Sequence, residues 1–510
     1  MQASSSQTVA KNTGYMFFRM ILVLLVSLYT SRVLLRVLGF EDFGIYNVVG
    51  SVVVFLAFLR MALTNATYRY IAFEIGRGDS KKLTEIYSMA INCHILLAIL
   101  IIVILELCGT WFINTHLNLP QERIGAANWA FQFSVLAFAV NVIQTPFDSN
   151  IIAHERMDVY AIVSIAEVFL KLLIVFILTI VEFDKLILYA FLQFVVVTII
   201  CLCYYIYCKR IFKDCSYCRL WDNKIGKDFL KYSGWSMIVN IADISANQSM
   251  SIFLNLFVGV IANAAMGITQ QVVAALNSFL MNFTQAMNPQ IIKSYASGQY
   301  ERFIKFVFSS SKLSYFLLLI VTLPVIANIE YILDLWLDEY PRDTPTFIKI
   351  IIWYNLIEST QNAFLQAVHA TGRIRTHQIL MSLIKFLSIP AMYFVLKTGH
   401  SGAAMITVWI VFTAFWCFVR LIYMHFLIQL SLINYIKEVL LKVFVISALV
   451  IPSTFVLSSA LNSDIGNFII SSLFSTISIV FLVWVYGLSH NERQLILELP
   501  LLRKYKSRHK

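Results

Sequence analysis

The chain alternates between long apolar blocks and short polar segments. Most blocks are about 20 residues long, enough for a helix to cross about 30 Å of hydrocarbon. Inside the blocks, apolar and polar residues do not alternate with a period of two, which argues against an outer-membrane β-barrel. The pattern predicts an all-α polytopic membrane protein with about fourteen transmembrane helices. The predicted spans are residues 15–38, 44–66, 86–107, 126–147, 159–181, 185–207, 233–257, 261–288, 306–328, 346–368, 378–397, 402–425, 435–457 and 466–487.

Composition and the placement of charge agree with a membrane protein. Apolar residues make up 59% of the 510 positions and charged residues 13%, whereas soluble domains carry about a quarter charged residues. The net charge of +11 does not indicate nucleic acid as a partner, because the basic residues collect in alternate loops and the segment 330–343 is acidic. By the positive-inside rule, we expect both termini in the cytoplasm and the spans in a bacterial inner membrane. Membrane lipids are expected partners.

Two parts of the sequence resemble each other at an offset near 220 residues. The matched positions are Gly39 with Gly259, Gly44 with Gly267, and 71–78 with 291–298. The repeat unit contains six predicted spans, an even number, so both copies have the same orientation in the membrane. We therefore predict two parallel six-helix lobes with an appended helix pair. The predicted domains are an N-terminal lobe at 1–207, a basic cytoplasmic linker at 208–232, a C-terminal lobe at 233–430, an accessory pair at 431–487 and a basic cytoplasmic tail at 488–510.

Polar residues recur at helical spacing in four of the predicted spans. Asn141, Gln144 and Asp148 are three and four residues apart, so they share one helix face. A single buried amide is commonly interhelical glue worth about 1 kcal/mol. Four stripes need more partners than packing supplies, and water is the easiest to provide; a purely structural network is the alternative. We predict a hydrated cavity lined by Asn141, Gln144, Asn240, Asn247, Gln270, Asn277, Gln361, Asn362 and Gln366.

Charged residues inside spans cost about 2.5–3.5 kcal/mol each on insertion, so they are functional candidates. Arg19 and Arg60 are expected roughly one and a half helical turns from the cytoplasmic ends of their spans, a depth that suits an anion entering from the cytoplasm. Snorkelling to the headgroups is the alternative for them and the expectation for Arg420. Lys171 follows Glu167 by four residues, and pairing and ligand binding both stay open for it. The anion-binding candidates are Arg19, Arg32, Arg60 and Lys171, and the candidates for binding a coupling cation are Asp243 and Glu358.

The cysteines do not form a recognisable framework. Cys215-x-x-Cys218 lies in a predicted cytoplasmic loop without a second CxxC or HxxxH partner. A lone CxxC is weak evidence for zinc. No metal site is predicted.

The opening of the chain and one later segment resemble a family of transporters. The segments are 12–19, 32–49 and Gln361-x-x-Phe364-x-x-Ala367-x-x-Ala370-x-Gly372-Arg373. They are similar to bacterial polysaccharide flippases, the O-antigen and capsule repeat-unit translocases of the multidrug/oligosaccharidyl-lipid/polysaccharide exporter superfamily. The resemblance covers essentially the whole chain. It implies a MATE-like fold, a V-shaped cavity between two lobes, and alternating access.

The resemblance also implies a cargo, an oligosaccharide on undecaprenyl diphosphate that is turned from the cytoplasmic to the periplasmic leaflet. A diphosphate suits Arg and Lys in a low-dielectric cavity, and sugars suit amide and hydroxyl groups. Arg19, Arg32 and Arg60 are therefore positional candidates for the diphosphate. No cofactor is expected apart from Na⁺ or H⁺ as a coupling ion. A polysaccharide polymerase and a chain-length regulator are candidate partners.

Two other functions compete with a flippase. The first is a cation-coupled multidrug exporter of the same fold, which requires carboxylates in its cavity. The second is an enzyme, a membrane glycosyltransferase or a repeat-unit polymerase, because the adjacent Glu41 and Asp42 resemble the acidic pairs of lipid-sugar-dependent transferases. The predicted outer loops are too short to hold an acceptor, and an N-cap role is the simpler interpretation of Asp42. We therefore expect a protein that is not an enzyme.

Overall fold

The computed structural model describes residues 2–154, 156–212, 217–218, 223–460, 465–489 and 492–493. Within these ranges, side chains are described except at 2–21, 65, 76, 223–225, 227–233, 235–240, 243, 279, 282–283, 285–286, 289, 293, 296 and 374. Every regular element in the described ranges is helical.

Eighteen α-helices follow one another along the described chain. They are α1 (Gln2–Val54), α2 (Ala57–Arg77), α3 (Ser80–Ile104), α4 (Thr110–Thr115), α5 (Ile124–Ala153), α6 (Met157–Ile180), α7 (Lys185–Ile211), α8 (Asn223–Phe257), α9 (Val260–Ala296), α10 (Tyr300–Ala327), α11 (Ile329–Leu337), α12 (Thr344–Ser359), α13 (Asn362–Thr371), α14 (Ile374–Lys397), α15 (Gly402–Ile428), α16 (Leu432–Tyr435), α17 (Leu441–Ala460) and α18 (Ile465–Leu482). Single π-helical segments at Leu105–Gly109, Ile436–Leu440 and Val483–Gly487 extend α3, α16 and α18.

Ten helices in the described part of the chain are long and apolar enough to cross a membrane. The predicted spans at 44–66, 233–257, 261–288 and 346–368 are not among the ten. The last of these divides into α12 and α13, of 16 and 10 residues, each shorter than the roughly 20 residues of a spanning helix. The all-helical polytopic architecture is therefore confirmed, and the number fourteen stays a prediction.

Four glycines give the sequence repeat a structural counterpart. Gly39 and Gly259 have φ angles of 73° and 114°, and Gly78 and Gly298 have φ angles of 72° and 70°. The members of each pair stand at the offset of 220 residues found in the sequence. Only glycine adopts this left-handed region readily, so the chain turns at equivalent places in the two copies. Gly78 is the C-cap of α2, where its N–H donates to carbonyls of the last turn.

The chain divides into two compact units, and the first comprises residues 1–271, 339–344 and 378–409. In this unit α5 packs against α7, α3 and α2, and α1 packs against α6. Its core centres on Ile101, Phe131 and Val135, all almost fully buried. These contacts fix α2, α5, α6 and α7 around one another, and these helices carry most of the predicted polar groups of the first unit.

An ion-paired arginine joins three segments at one end of this unit. Asp42 lies three residues after the break at Gly39, and its carboxylate accepts hydrogen bonds from Nε and Nη2 of Arg123 at 2.8 and 2.7 Å. Arg123 Nη1 also donates to Asp184 at 2.7 Å. Asp184 caps α7 by accepting from the N–H groups of Leu186 and Ile187. The N-cap role predicted for Asp42 is therefore wrong, because its carboxylate binds another segment.

Two repeat glycines lie where α1 crosses α9 within the first unit. A Cβ added to Gly44 would overlap the carbonyl oxygen of Val260 and lie 3.4 Å from the N of Ala264. A Cβ added to Gly267 would lie 2.6–2.7 Å from the side-chain amide of Asn47. Small residues allow two backbones to approach this closely. The glycines that mark the repeat in the sequence are thus the contact points of these two helices.

The second unit comprises residues 272–338, 345–377 and 410–510. Its α10 packs against α18, α17 and α13. Lys312 of α10 is 2% exposed, and its Nζ donates to Glu492 Oε2 at 2.6 Å and to the carbonyl of Gly487 at 3.2 Å. Ser309 Oγ donates to the other oxygen of Glu492. This ion pair fastens the segment after α18 to the interior of α10.

Candidate functional site

Arg60 lies in the first turn of α2, directly after the short break at residues 55–56. Its side chain is half-buried. The helix continues for 17 residues beyond it to Arg77, a rise of about 25 Å. The predicted shallow depth of Arg60 is therefore wrong, because α2 extends well past residue 66. A guanidinium this far from the helix end has little opportunity to snorkel.

Asp148 is the carboxylate that acts on Arg60. It interacts electrostatically with the guanidinium of Arg60. Gln144, one turn earlier on α5, donates through Nε2 to Asp148 Oδ1 and Oδ2 at 3.2 and 3.1 Å. Arg60 itself donates no side-chain hydrogen bond to any side chain that the structure describes. The cation is thus balanced in charge while its donor groups stay available.

A second ion pair lies on α6. Lys171 Nζ donates to Glu167 Oε1 at 2.6 Å, with side chains 37% and 32% exposed. This confirms pairing, one of the two possibilities that the spacing left open. Glu167 also acts on Asp148 as a nearby like charge. Arg60, Asp148, Glu167 and Lys171 therefore form one network of two cations and two carboxylates, which we call the charge cluster.

The two faces of α6 show which side of the helix is polar. Tyr160, Ser164, Glu167 and Lys171 share one face at steps of three and four residues. The opposite face carries large exposed apolar side chains, which suit contact with lipid: Ile162, Phe169, Leu173, Phe176 and Ile180. The charge cluster therefore lies on the side of α6 that faces away from hydrocarbon.

Aromatic and imidazole groups surround the charge cluster. The ring of Tyr204 on α7 stacks on that of Tyr160 with centroids 6.5 Å apart, and Tyr204 lies within electrostatic range of Asp148 and Glu167. His94 of α3 is fully buried, donates from Nδ1 to the carbonyl of Ala90 at 2.8 Å, and lies near Arg60. Phenol and amide groups suit sugar hydroxyls as well as phosphate oxygens.

The other predicted site residues of the first unit are not all in this cluster. Asn141 is half-buried on the Gln144 face of α5, and Arg32 is half-buried in α1. Asn247 and Gln270 are exposed. The side chains of Arg19, Asn240 and Asp243 lie outside the described residues. The cation side of the site was therefore predicted at Arg60 and Lys171, while the role of Asp148 as counter-ion was missed.

The remaining predicted residues lie in the second unit, and Asn277 is half-buried there in α9. The others surround the break between α12 and α13. Gln361 is 4% exposed, and its Nε2 donates to Thr360 Oγ1 at 3.0 Å. Glu358, Asn362 and Gln366 are half-buried.

Arg420 stabilises the same break from α15. Its Nη1 donates to the carbonyl of Gln361 at 3.3 Å, and its guanidinium carbon lies 3.7 Å from the centre of the Trp416 ring. Arg420 is only 5% exposed. The predicted snorkelling of Arg420 is therefore wrong, because a non-helical carbonyl and an indole ring bind the cation inside the unit.

Two functional candidates for packing were not recognised from the sequence. Lys312 lies within the apolar run of α10, and a lysine in such a run was itself a signal. Arg123 pairs with residues 81 and 61 positions away, which no local pattern indicates. In the ranges that the structure describes, no three His, Cys, Asp or Glu side chains converge to hold a metal ion; Cys215 lies outside those ranges.

The polysaccharide biosynthesis protein family matches this chain over residues 9–295. That match covers more than half of the 510 residues. The chain belongs to the polysaccharide biosynthesis protein family. The predicted family resemblance is thereby confirmed.

Individual relatives agree in fold. The uncharacterized membrane protein EpsK of Bacillus subtilis (strain 168) is 20% identical over 307 residues, which are 58% of this chain and 59% of that relative. The structure of the lipid II flippase MurJ in an inward closed conformation aligns with a TM-score of 0.72 at 12% identity, over 96% of this chain and all of that one. An inward-facing multidrug resistance MATE family transporter of the MOP superfamily aligns with a TM-score of 0.59 at 13% identity, over 82% of this chain and 94% of that one. The MATE-like fold is confirmed, and the protein is a multi-pass membrane protein of a transporter-like fold.

Proposed function

We propose that this protein is a flippase that moves undecaprenyl-diphosphate-linked oligosaccharide repeat units from the cytoplasmic to the periplasmic leaflet, for O-antigen, capsule or exopolysaccharide synthesis. The observation that carries the proposal is Arg60, a half-buried arginine deep in α2 whose charge is balanced by Asp148. Membership of the polysaccharide biosynthesis protein family supports a saccharide cargo. The likeness in fold to a lipid II flippase supports translocation rather than synthesis.

The chemistry of the charge cluster fits a lipid-linked diphosphate. Arg60 offers a planar set of N–H donors and Lys171 an ammonium, and both bind phosphate oxygens strongly where water is scarce. Asn141 and Gln144 place amide groups on the adjoining face of α5, where hydroxyls of the first sugar are able to bind. The polyprenyl tail has no need of a protein pocket, since the bilayer itself dissolves it.

The topology follows from the charge pattern. We place the protein in a bacterial inner membrane with both termini in the cytoplasm, because the basic residues collect on that side. A polysaccharide polymerase and a chain-length regulator are the proposed partners downstream of the translocated unit. Alternating access coupled to Na⁺ or H⁺ completes the proposal, with Asp243 of α8 and Glu358 of α12 as candidates for binding the coupling cation.

A cation-coupled drug exporter of the same fold is the main alternative, because MATE transporters share the fold. An exporter of cationic drugs needs carboxylates that are available to the drug. In the first unit, Glu167 is paired with Lys171, and Asp148 is held by Gln144 and the charge of Arg60. This balance favours an anionic head group over a cationic drug.

Transport of lipid-linked saccharide in cells tests the proposal. In a strain that depends on this protein, Arg60→Ala is expected to leave the lipid-linked units in the cytoplasmic leaflet while the protein stays in the membrane. A periplasmic ligase or an added glycosidase reports which leaflet holds them. Normal appearance of the sugar in the periplasm would remove Arg60 from the site.

A further inference from the structure

We propose that diphosphate binding in the first unit is linked to proton uptake, with Asp148 and Glu167 as the groups that take up the protons. The inference rests on the proposed function, since it assumes that a diphosphate is the ligand of Arg60 and Lys171. It adds the nature of the coupled ion, the residues that bind it and the sign of the coupling.

The empty site is electrically balanced. Glu167 accepts a 2.6 Å hydrogen bond from Lys171, and Asp148 lies in the field of Arg60. The cations that suit the diphosphate are therefore the same cations that keep the two carboxylates ionised. A diphosphate that binds Arg60 and Lys171 has to compete with Asp148 and Glu167 for them.

Once the cations turn to the diphosphate, the carboxylates face each other and the bound anion. Asp148 and Glu167 already act on each other as like charges in the empty site. Two carboxylates and a diphosphate within one low-dielectric site cannot all stay ionised without a large cost. A proton on a carboxylate oxygen removes one negative charge and breaks no other bond, and bulk water supplies it.

The neighbouring groups offer little other compensation. Gln144 on the same helix donates to Asp148 and carries no charge. The ionisable groups that the structure places around Asp148 and its partner are Arg60 of α2, His94 of α3, Tyr160, Glu167 and Lys171 of α6, and Cys201 and Tyr204 of α7. Of these, only Arg60, Lys171 and a protonated His94 are cations, and His94 is fully buried with Nδ1 bound to a carbonyl. Protonation of Asp148 and Glu167 is therefore the available route to charge balance.

The sign of the coupling follows by linkage. If diphosphate binding promotes proton uptake, lower pH must promote diphosphate binding by the same factor. Each proton taken up changes the affinity tenfold per pH unit. Substrate and protons then bind together, which is the relation of co-transport, whereas an exchanger binds them in competition.

Calorimetry on the purified full-length protein tests this with pyrophosphate as the probe. Titration at pH 8 in two buffers of different ionisation enthalpy gives the number of protons taken up for each pyrophosphate bound. The wild type is expected to take up about one proton more than either Asp148→Asn or Glu167→Gln, each of which removes one acceptor. The protonation of pyrophosphate itself is the same for all proteins and cancels in the difference. Glu106→Gln is the control, because Glu106 binds Gln132 elsewhere in the unit.

The outcomes separate this inference from the proposed function. Binding of pyrophosphate with equal proton uptake by wild type and both variants overturns the inference and leaves the diphosphate site standing. No binding by the folded wild type overturns both. If one variant does not fold, the other variant and the pH dependence of wild-type affinity still decide the question: an affinity that does not strengthen relative to the folded variant between pH 8 and pH 6 overturns the inference.

Discussion

Arg123 clamps Asp42 with two parallel hydrogen bonds, from Nε at 2.8 Å and from Nη2 at 2.7 Å. The same guanidinium binds Asp184, so three segments of the first unit meet at one side chain. Arg123→Ala is expected to lower the free energy of unfolding by about 1–3 kcal/mol, since it leaves two partly buried carboxylates without their donor. Arg123→Lys keeps the charge but loses the fork and should fall between wild type and alanine. Thermal unfolding in detergent measures both, and equal stability of all three proteins would contradict a structural role.

Loss of Arg60 should stop transport without unfolding the protein. Arg60→Ala is expected to reduce the periplasmic appearance of lipid-linked saccharide at least tenfold, the effect of about 1.4 kcal/mol of lost binding. Arg69→Ala is the matched control, because Arg69 is an exposed arginine on the same helix. Equal transport by the two variants would show that the deep position of Arg60 has no special role.

A methyl group at Gly44 should force α1 and α9 apart. The Cβ of Gly44→Ala meets a backbone carbonyl at Val260, which has no rotamer through which to move away. We expect a loss of about 1–3 kcal/mol in unfolding free energy and impaired transport. Gly50→Ala on the same helix meets nothing within 4 Å and should be neutral or slightly stabilising. Gly267→Ala should be milder than Gly44→Ala, because a side-chain amide is able to rotate.

The Lys312–Glu492 pair predicts a dependence of stability on pH. Burial alone would raise the pKa of the Glu492 carboxyl, but the hydrogen bonds from Lys312 and Ser309 and the charge of Lys312 hold that pKa below its ordinary value. The stabilisation is therefore fully present above about pH 4.3, the pKa of an unfolded glutamate, and is lost as pH falls through the folded-state pKa. Glu492→Gln should cost about 2 kcal/mol at pH 7. The gap in unfolding temperature between wild type and variant should narrow in acid, and a constant gap would exclude an ionised Glu492.

Asp243 and Glu358 are tested by the dependence of transport on an ion gradient. If Asp243 binds the coupling cation, Asp243→Asn transports at a rate that no longer changes when the Na⁺ or H⁺ gradient is collapsed, because the amide has no charge to balance a cation. Glu358→Gln tests the other candidate in the same vesicles. An unaltered response in both variants would assign coupling to other groups.

The sequence allowed prediction of what depends on neighbours along one helix. The Glu167–Lys171 pair follows from a spacing of four residues, and the apolar blocks follow from the thickness of the membrane. The partnership of Arg60 with Asp148 joins residues 88 positions apart, and nothing local in the sequence indicates which acid would balance which cation. The depth of Arg60 was misjudged because hydropathy falls before α2 ends.

The break between α12 and α13 shows a second limit. No proline or glycine marks residues 359–361, so the pattern predicts a continuous span at 346–368. The non-helical carbonyl of Gln361 is stabilised by Arg420, which comes from another helix. A break that depends on a tertiary partner leaves no signature in the segment that breaks.

The crossing of Gly44 and Gly267 has a mechanical consequence. Where bulky side chains interlock, two helices separate only after several rotamers have changed and a packed surface has been pulled apart. At this crossing backbone lies against backbone at Gly44, and the Gly267 side adds only one small amide, that of Asn47. The contact therefore works as a smooth bearing, which holds by close approach, yet opens and closes again without repacking a core.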